Sequence, residues 1–181
     1  PLLKKAHSPL RAIYNDSYEV YGGNYTPELF PAFQRLNGYD LRMHFDVLSK
    51  KKAESEEENQ IFADYHRTIS TLLQRNFVLP FDHWINSMGF TSRNQAHGSP
   101  GNLLDIYAAA DIPEAEFFGS KPFDIPGYRV DPEYDSTTFG IPDIRALKLA
   151  SSAANLTGKK LVSAETATWL GNHLMGSIAQ G

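Results

Sequence analysis

Apolar positions along this chain alternate between short β-rich runs and longer stretches at helical spacing. Leu10-Arg11-Ala12-Ile13-Tyr14 is a β-rich run that gives way to Asn15-Asp16-Ser17-Tyr18-Glu19 and then Gly22-Gly23-Asn24, as a strand ending in a loop does. Thr26-Pro27-Glu28 supplies a capping hydroxyl and a proline for a first helical turn. Leu29, Phe30, Phe33 and Leu36 then predict an apolar helix face that stops at Gly38. Three lysines and a glutamate-rich run between Lys50 and Glu58 read as a solvated loop or first helical turn. From Asn59 onward, Ile61, Phe62, Tyr65, Ile69, Leu72, Leu73 and Phe77 predict a long amphipathic helix that Pro80 ends or kinks. A shorter helix through Trp84 and Ile85 stops at Gly89.

The second half repeats the alternation. Phe90 to His97 predicts a second strand, and Ser99-Pro100 caps a helix carrying Leu103, Leu104, Ile106 and Tyr107. Asp111-Ile112 begins a third strand, which Pro113 should keep short because it cannot donate to the ladder; Glu114 and Glu116 then fall at its irregular end. Gly119 to Gly140 has the length and composition of an active-site loop or an insertion. Pro142 starts a helix through Ile144, Leu147 and Ala150 to Gly158, and Lys160 to Glu165 reads as a fourth strand. Four strands alternating with helices imply an α/β fold of parallel β/α units. If the sheet is barrel-like, the polar strand ends converge on one face: Asp16 and Glu19, Gln95 and His97, Glu114 and Glu116, and Glu165.

Composition narrows the partner. A chain of 181 residues with 41% hydrophobic and 21% charged residues builds one ordinary domain, yet is short for a complete barrel, which takes about 250 residues. A net charge of -4 offers no basic field for nucleic acid or an anionic membrane surface, and no apolar run is long enough to span a bilayer. Small neutral or polar ligands fit better. The absence of cysteine excludes disulfides, thiolate metal sites and a cysteine nucleophile, and leaves the compartment open. Beginning at Pro1 with neither an initiator Met nor a signal-like segment, the chain is expected to be a piece of something longer.

Carboxylates dominate the candidate chemistry. Glycoside hydrolysis needs two carboxyls across the scissile bond, one protonated for the leaving oxygen and one ionised to activate water or attack directly. Glu19 and Glu165, from strands far apart in sequence, are placed to stand opposite each other. Glu114 and Glu116, with Asp16 and Asp111, add more hard oxygens than two-carboxylate chemistry requires. A calcium or magnesium ion would account for the surplus, and so would hydrogen bonds from Arg11, Arg93 or sugar hydroxyls; the residues leave both readings open. Zinc is disfavoured, with His97 alone and no His-x-x-x-His pair. Arg93, Asn94, Gln95 and His97 offer fixed donors and acceptors for a polyhydroxylated ligand. Tyr18, Trp84 and Trp169 are available as aromatic platforms, although tryptophan is more often a core residue.

The ordered blocks Asp16-Ser17-Tyr18-Glu19, Arg93-Asn94-Gln95-Ala96-His97-Gly98, Asp111-Ile112-Pro113-Glu114-Ala115-Glu116, Lys148-Leu149-Ala150-Ser151-Ser152-Ala153-Ala154 and Ser163-Ala164-Glu165-Thr166 resemble the α-L-rhamnosidases of glycoside hydrolase family 106 over roughly residues 10–173. The resemblance implies a TIM-type (β/α)8 catalytic barrel, of which residues 1–181 would form a single catalytic-domain fragment of about four β/α units from its later part. It implies inversion at the anomeric carbon and a calcium ion helping to hold the rhamnose hydroxyls. Carried over by position, Glu19 is the general acid and Glu165 the general base, with the two roles exchangeable, and inversion places their carboxyls about 6.5–9.5 Å apart. Glu114 is expected near the metal, and Asp16, Arg93, Gln95, His97 and Glu116 against a carbohydrate substrate. Half a barrel leaves open sheet edges, so the missing remainder or a second copy of the chain is the expected partner. The alternatives are a non-catalytic carbohydrate-binding or structural module, and a glycosidase of different sugar specificity.

Overall fold

The computed structural model describes residues 10–18, 20, 23–118 and 144–168. They form a parallel four-stranded sheet, β1 (Ala12–Asn15), β2 (Thr91–Gln95), β3 (Ile112–Phe118) and β4 (Ser163–Thr168), whose order in space follows the order in sequence. Six helices fill the crossovers: α1 (Leu29–Asn37), α2 (Phe45–Leu48), α3 (Glu56–Leu73), α4 (Leu79–Ser87), α5 (Leu103–Ala109) and α6 (Ile144–Leu156). This is the parallel α/β arrangement that the alternation predicts.

The strand boundaries differ from the sequence reading in instructive ways. β3 runs through Pro113 for seven residues, so Glu114 and Glu116 lie within the strand rather than at a frayed end. Pro113 is the second residue of the strand, and pairing with β4 begins only at Glu114 opposite Ser163, so the missing N–H falls where the ladder is still one-sided. β4 starts three residues later than expected. Leu161 and Val162, which suggested a strand, are exposed residues leading into it.

Helix starts also move. Thr26 and Pro27 form a turn that the Leu29 amide closes onto the Thr26 carbonyl, and the N-cap position falls on Glu28 with no side-chain bond. Leu29, Ala32 and Phe33 are the buried face of α1, whereas Leu36 is exposed. Asn102, not Ser99, caps α5 by accepting from the Leu104 and Asp105 amides. Ser55 caps α3 ahead of Glu56, Glu57 and Glu58, whose charges complement the helix N-terminus. Lys50 bridges Glu54 and Glu58 just before it, so the charged run is solvated surface.

The long apolar pattern through Phe77 does not continue as one α-helix. Gln74–Val78 forms a π-helical turn between α3 and α4, and it places Val78 in the core while Phe77 stays 39% exposed. Pro80 sits in the first turn of α4, directly after the π turn, and the chain stays helical through it.

Two apolar clusters result. One joins Leu29, Ala32, Phe33 and Leu41 to Ile69 and Leu72 among the helices. The other joins Ala96, Ala115, Ile106 and Tyr107 to Ala150 and Ala153, seating α5 and α6 on the sheet. Alanines at these contacts let α6 approach β3 closely, and the Lys159 ammonium donates to the Ala108 carbonyl at 2.6 Å to close the crossover.

Candidate active site

Side chains of a strand alternate between the two faces of a sheet. Because Ala115 packs against Ala150 and Ala153 of α6, its neighbours Glu114 and Glu116 are turned to the opposite face. Register extends that face across the sheet. Tyr14 pairs with Arg93, Gln95 with Glu114, and Glu116 with Glu165. A face that a parallel sheet ordinarily fills with apolar residues therefore carries a tyrosine, an arginine, a glutamine and three glutamates.

Gln95, fully buried, is the hub of this group. Its amide Nε2 donates to Glu165 Oε2 at 2.8 Å and to Glu114 Oε1 at 3.2 Å, and it also reaches the Tyr14 hydroxyl. The amide orientation follows from its neighbours: a flipped group would set its oxygen against two carboxylates. Tyr14 in turn offers its single proton to Asp16 Oδ1 at 3.0 Å or to Glu165 Oε2 at 3.4 Å. Burial first, and then the neighbouring Glu114 carboxylate, push the Tyr14 phenol well above its ordinary range, so it stays protonated.

Arg93 braces the group from below. Its guanidinium lies 4.1 Å from the centre of the Tyr14 ring, and Nε stands 2.9 Å from Glu114 Oε2. The Nε–H is not aimed along a hydrogen-bond direction, so the Glu114 contact is an ion pair rather than a directed bond. Arg93 thus acts on Tyr14 and Glu114, and Gln95 on Glu165.

Of the residues expected at a site, Asp16, Arg93, Gln95, Glu114 and Glu165 meet in one network, and Glu116 lies beside Glu165 in register. His97 is a branch from it, half exposed and 3.8 Å from Glu116. Glu19, Trp169 and the Gly119–Gly140 segment lie outside the described residues. Tyr18 is not a platform for a ligand: it is buried and packs edge-on against Phe77 at 5.9 Å. Burial raises its pKa, with the Asn94 side chain opposing. Trp84 is 55% exposed, on α4 of the helical layer. Asp111 is committed to Ser92, accepting from its backbone amide at 2.9 Å. Tyr14 is the residue that sequence reasoning missed. It ended an apolar run and was read as strand; the two-residue step from Tyr14 to Asp16 was the available signal that both face the same way.

The described donor set does not suit calcium at Glu114. Both of that carboxylate's oxygens are engaged, one by a guanidinium that would repel a cation, and among the described residues no three His, Asp or Glu side chains converge as a metal cage. A pocket of about 290 Å³ opens at the N-terminal ends of the strands, lined by Ala12, Arg93, Ile112 and Ser163 among others, and of the network only Arg93 reaches it. A larger cavity of about 740 Å³, beside His66, Arg67 and Asp105, includes none of the expected site residues.

Comparison with known proteins agrees with this fold. A Formosa agariphila protein provisionally named a beta-glucuronidase is 30% identical over 157 residues, covering 86% of this chain and 12% of that protein. The solved structure of a rhamnosidase from Novosphingobium sp. PP1Y superposes with a TM-score of 0.63 at 28% identity, over 86% of this chain and 14% of the other. The chain thus spans a small part of the length of either relative. The model of the alpha-L-rhamnosidases, glycoside hydrolase family 106, matches residues 3–177, and the chain belongs to that family.

Proposed function

We propose that this chain is the proton-transfer portion of a glycoside hydrolase that removes terminal α-L-rhamnosyl residues from polysaccharides or glycosides, its strands forming the later part of a (β/α)8 barrel as a single catalytic-domain fragment. The observation that carries the reading is the convergence of Gln95, Glu114, Glu116 and Glu165 on one face of a parallel sheet, where such a sheet ordinarily carries apolar side chains. Glu165, held by two donors, serves as general base toward water; Glu19 serves as general acid toward the leaving oxygen, which makes the reaction inverting. Asp16, Glu116 and His97 are proposed to face the sugar. Arg93 and Gln95 act by holding carboxylates in place.

The test is made in the full-length parent. Glu165→Gln and Glu19→Gln should each abolish rhamnose release while circular dichroism stays unchanged, and near-normal turnover in either variant would remove that residue from the chemistry. Anomeric configuration of the first product, read by NMR, tests inversion. Calcium assistance, which the family resemblance implies, is proposed for the parent only; rhamnose release that survives chelation would eliminate it.

The name of the Formosa agariphila relative favours a second reading, a glycosidase of the same design that takes a different sugar. Parallel assays with aryl α-L-rhamnoside and aryl β-glucuronide distinguish the two. Turnover of the glucuronide alone would overturn the rhamnosyl assignment and keep the carboxylate roles.

A further inference from the structure

The position of Tyr14 is not explained by packing alone. Its hydroxyl lies within reach of two carboxylates from opposite edges of the sheet, Asp16 just past β1 at 3.0 Å and Glu165 of β4 at 3.4 Å, beside the Glu114 carboxylate, and it has one proton to give. Gln95 fixes where that hydroxyl stands by donating to its oxygen, and the same amide nitrogen donates to Glu165 Oε2. Both donors therefore address a single oxygen of Glu165. The arrangement carries a cost, since Gln95 Oε1 is buried with no hydrogen-bond partner among the described residues. A fold retains an orphaned acceptor only where the other end of the amide contributes more. The Arg93 guanidinium over the Tyr14 ring completes the support by fixing the ring plane.

We propose that Tyr14 and Gln95 form a positioning clamp on Glu165, in which the Tyr14 hydroxyl donates to the Glu165 carboxylate while it is ionised and turns to Asp16 once Glu165 has taken a proton. This rests on the reading of Glu165 as a proton-transfer residue. The proton taken up comes from the attacking water; the Tyr14 proton only changes acceptor, so no charge is created on the phenol. Tyr14 thus holds the charged form of Glu165. A donor to a carboxylate favours that form, so removing the donor moves the acid limb of the rate profile to higher pH.

The experiment uses the full-length parent and an aryl α-L-rhamnoside. Tyr14→Phe should displace the acid limb of kcat/KM upward in pH, with KM changed less than about two-fold. Site-specific 3-fluorotyrosine at position 14 preserves the shape of the residue and makes it a stronger donor, so the same limb should move down. Glu165→Gln is run alongside. If Glu165→Gln is inactive while neither change at Tyr14 moves the acid limb, the clamp is refuted. A rise in KM with kcat unchanged would also overturn it, by making Tyr14 a substrate contact. Near-normal turnover in Glu165→Gln would instead refute the assignment of Glu165 itself, whatever Tyr14 does.

Discussion

Replacing Gly98 by alanine should damage the site from behind. Gly98 adopts φ 72°, a left-handed conformation that costs an L-residue about 1–2 kcal/mol. A Cβ there would stand 2.5 Å from the Tyr18 carbonyl oxygen, roughly 0.8 Å inside the closest ordinary C···O approach. The obstacle is backbone, so it cannot rotate away. Relief requires separating the Gly98 turn from the β1 exit, which is joined there by the Tyr18 amide donating to the His97 carbonyl at 2.8 Å. Overpacking of this kind adds about 1–3 kcal/mol. Gly38 supplies the control: its φ is 84°, yet a Cβ would meet nothing within 4 Å, so Gly38→Ala carries the conformational cost alone. Urea unfolding of the parent, followed with hydrogen exchange at the Tyr18 amide, should show Gly98→Ala destabilised by about 1–3 kcal/mol more than Gly38→Ala, with Tyr18 protection lost only in the former. Because Asp16 lies two residues before Tyr18, rhamnose release should fall with it. Equal destabilisation by the two substitutions, with Tyr18 still protected, would refute the steric argument.

Two further outcomes test the scaffold. Ser92 is fully buried, donates to Asp82 and accepts from the Asp111 amide at 2.9 Å, so Ser92→Ala should cost about 1–3 kcal/mol in urea unfolding by leaving both partners unsatisfied; a cost below a few tenths would show that the stitch contributes nothing. Tyr39 has its pKa pushed up to about 12 by burial and by the Asp64 carboxylate that accepts its proton, so the folded state holds that proton more tightly than the unfolded one. Its stabilisation is present below pH 10, the ordinary value, and is lost as pH rises through about 12; Tyr39→Phe should flatten that part of the stability profile, and an unchanged alkaline slope would contradict it.

The β/α alternation was legible because strands and helices here keep their own hydrophobic periods, and four strands fall where short apolar runs end in polar clusters. Their limits were less legible. Leu161 and Val162 look like strand residues, but nothing in their side chains tells that they are exposed before β4 begins. Pro113 suggested a short strand because its neighbours in the ladder, and hence the side on which an N–H is needed, are a tertiary fact. Caps moved from Thr26 and Ser99 to Glu28 and Asn102, since several capping-competent residues precede each helix and loop geometry selects among them. For the site, spacing along β2 and β3 gave the shared face of Gln95, Glu114 and Glu116. What it could not give was the direction of each contact: Arg93 turns to Tyr14 and Glu114, and the phenol of Tyr14 is drawn in through partners 81 and 151 residues away.

The π turn at Gln74–Val78 makes the chain's residue count at that point a structural parameter. Each residue of an α-helix advances the side chains by about 100°, and the wider turn absorbs one surplus residue before α4 begins. Deleting one residue there would let α3 and α4 merge into one helix without turning α4, so Asp82 would still face Ser92. A residue added between the turn and Asp82 would instead rotate Asp82 by about 100° away from Ser92. The turn is thus where the chain can change length by one residue and still keep the Asp82 anchor of β2.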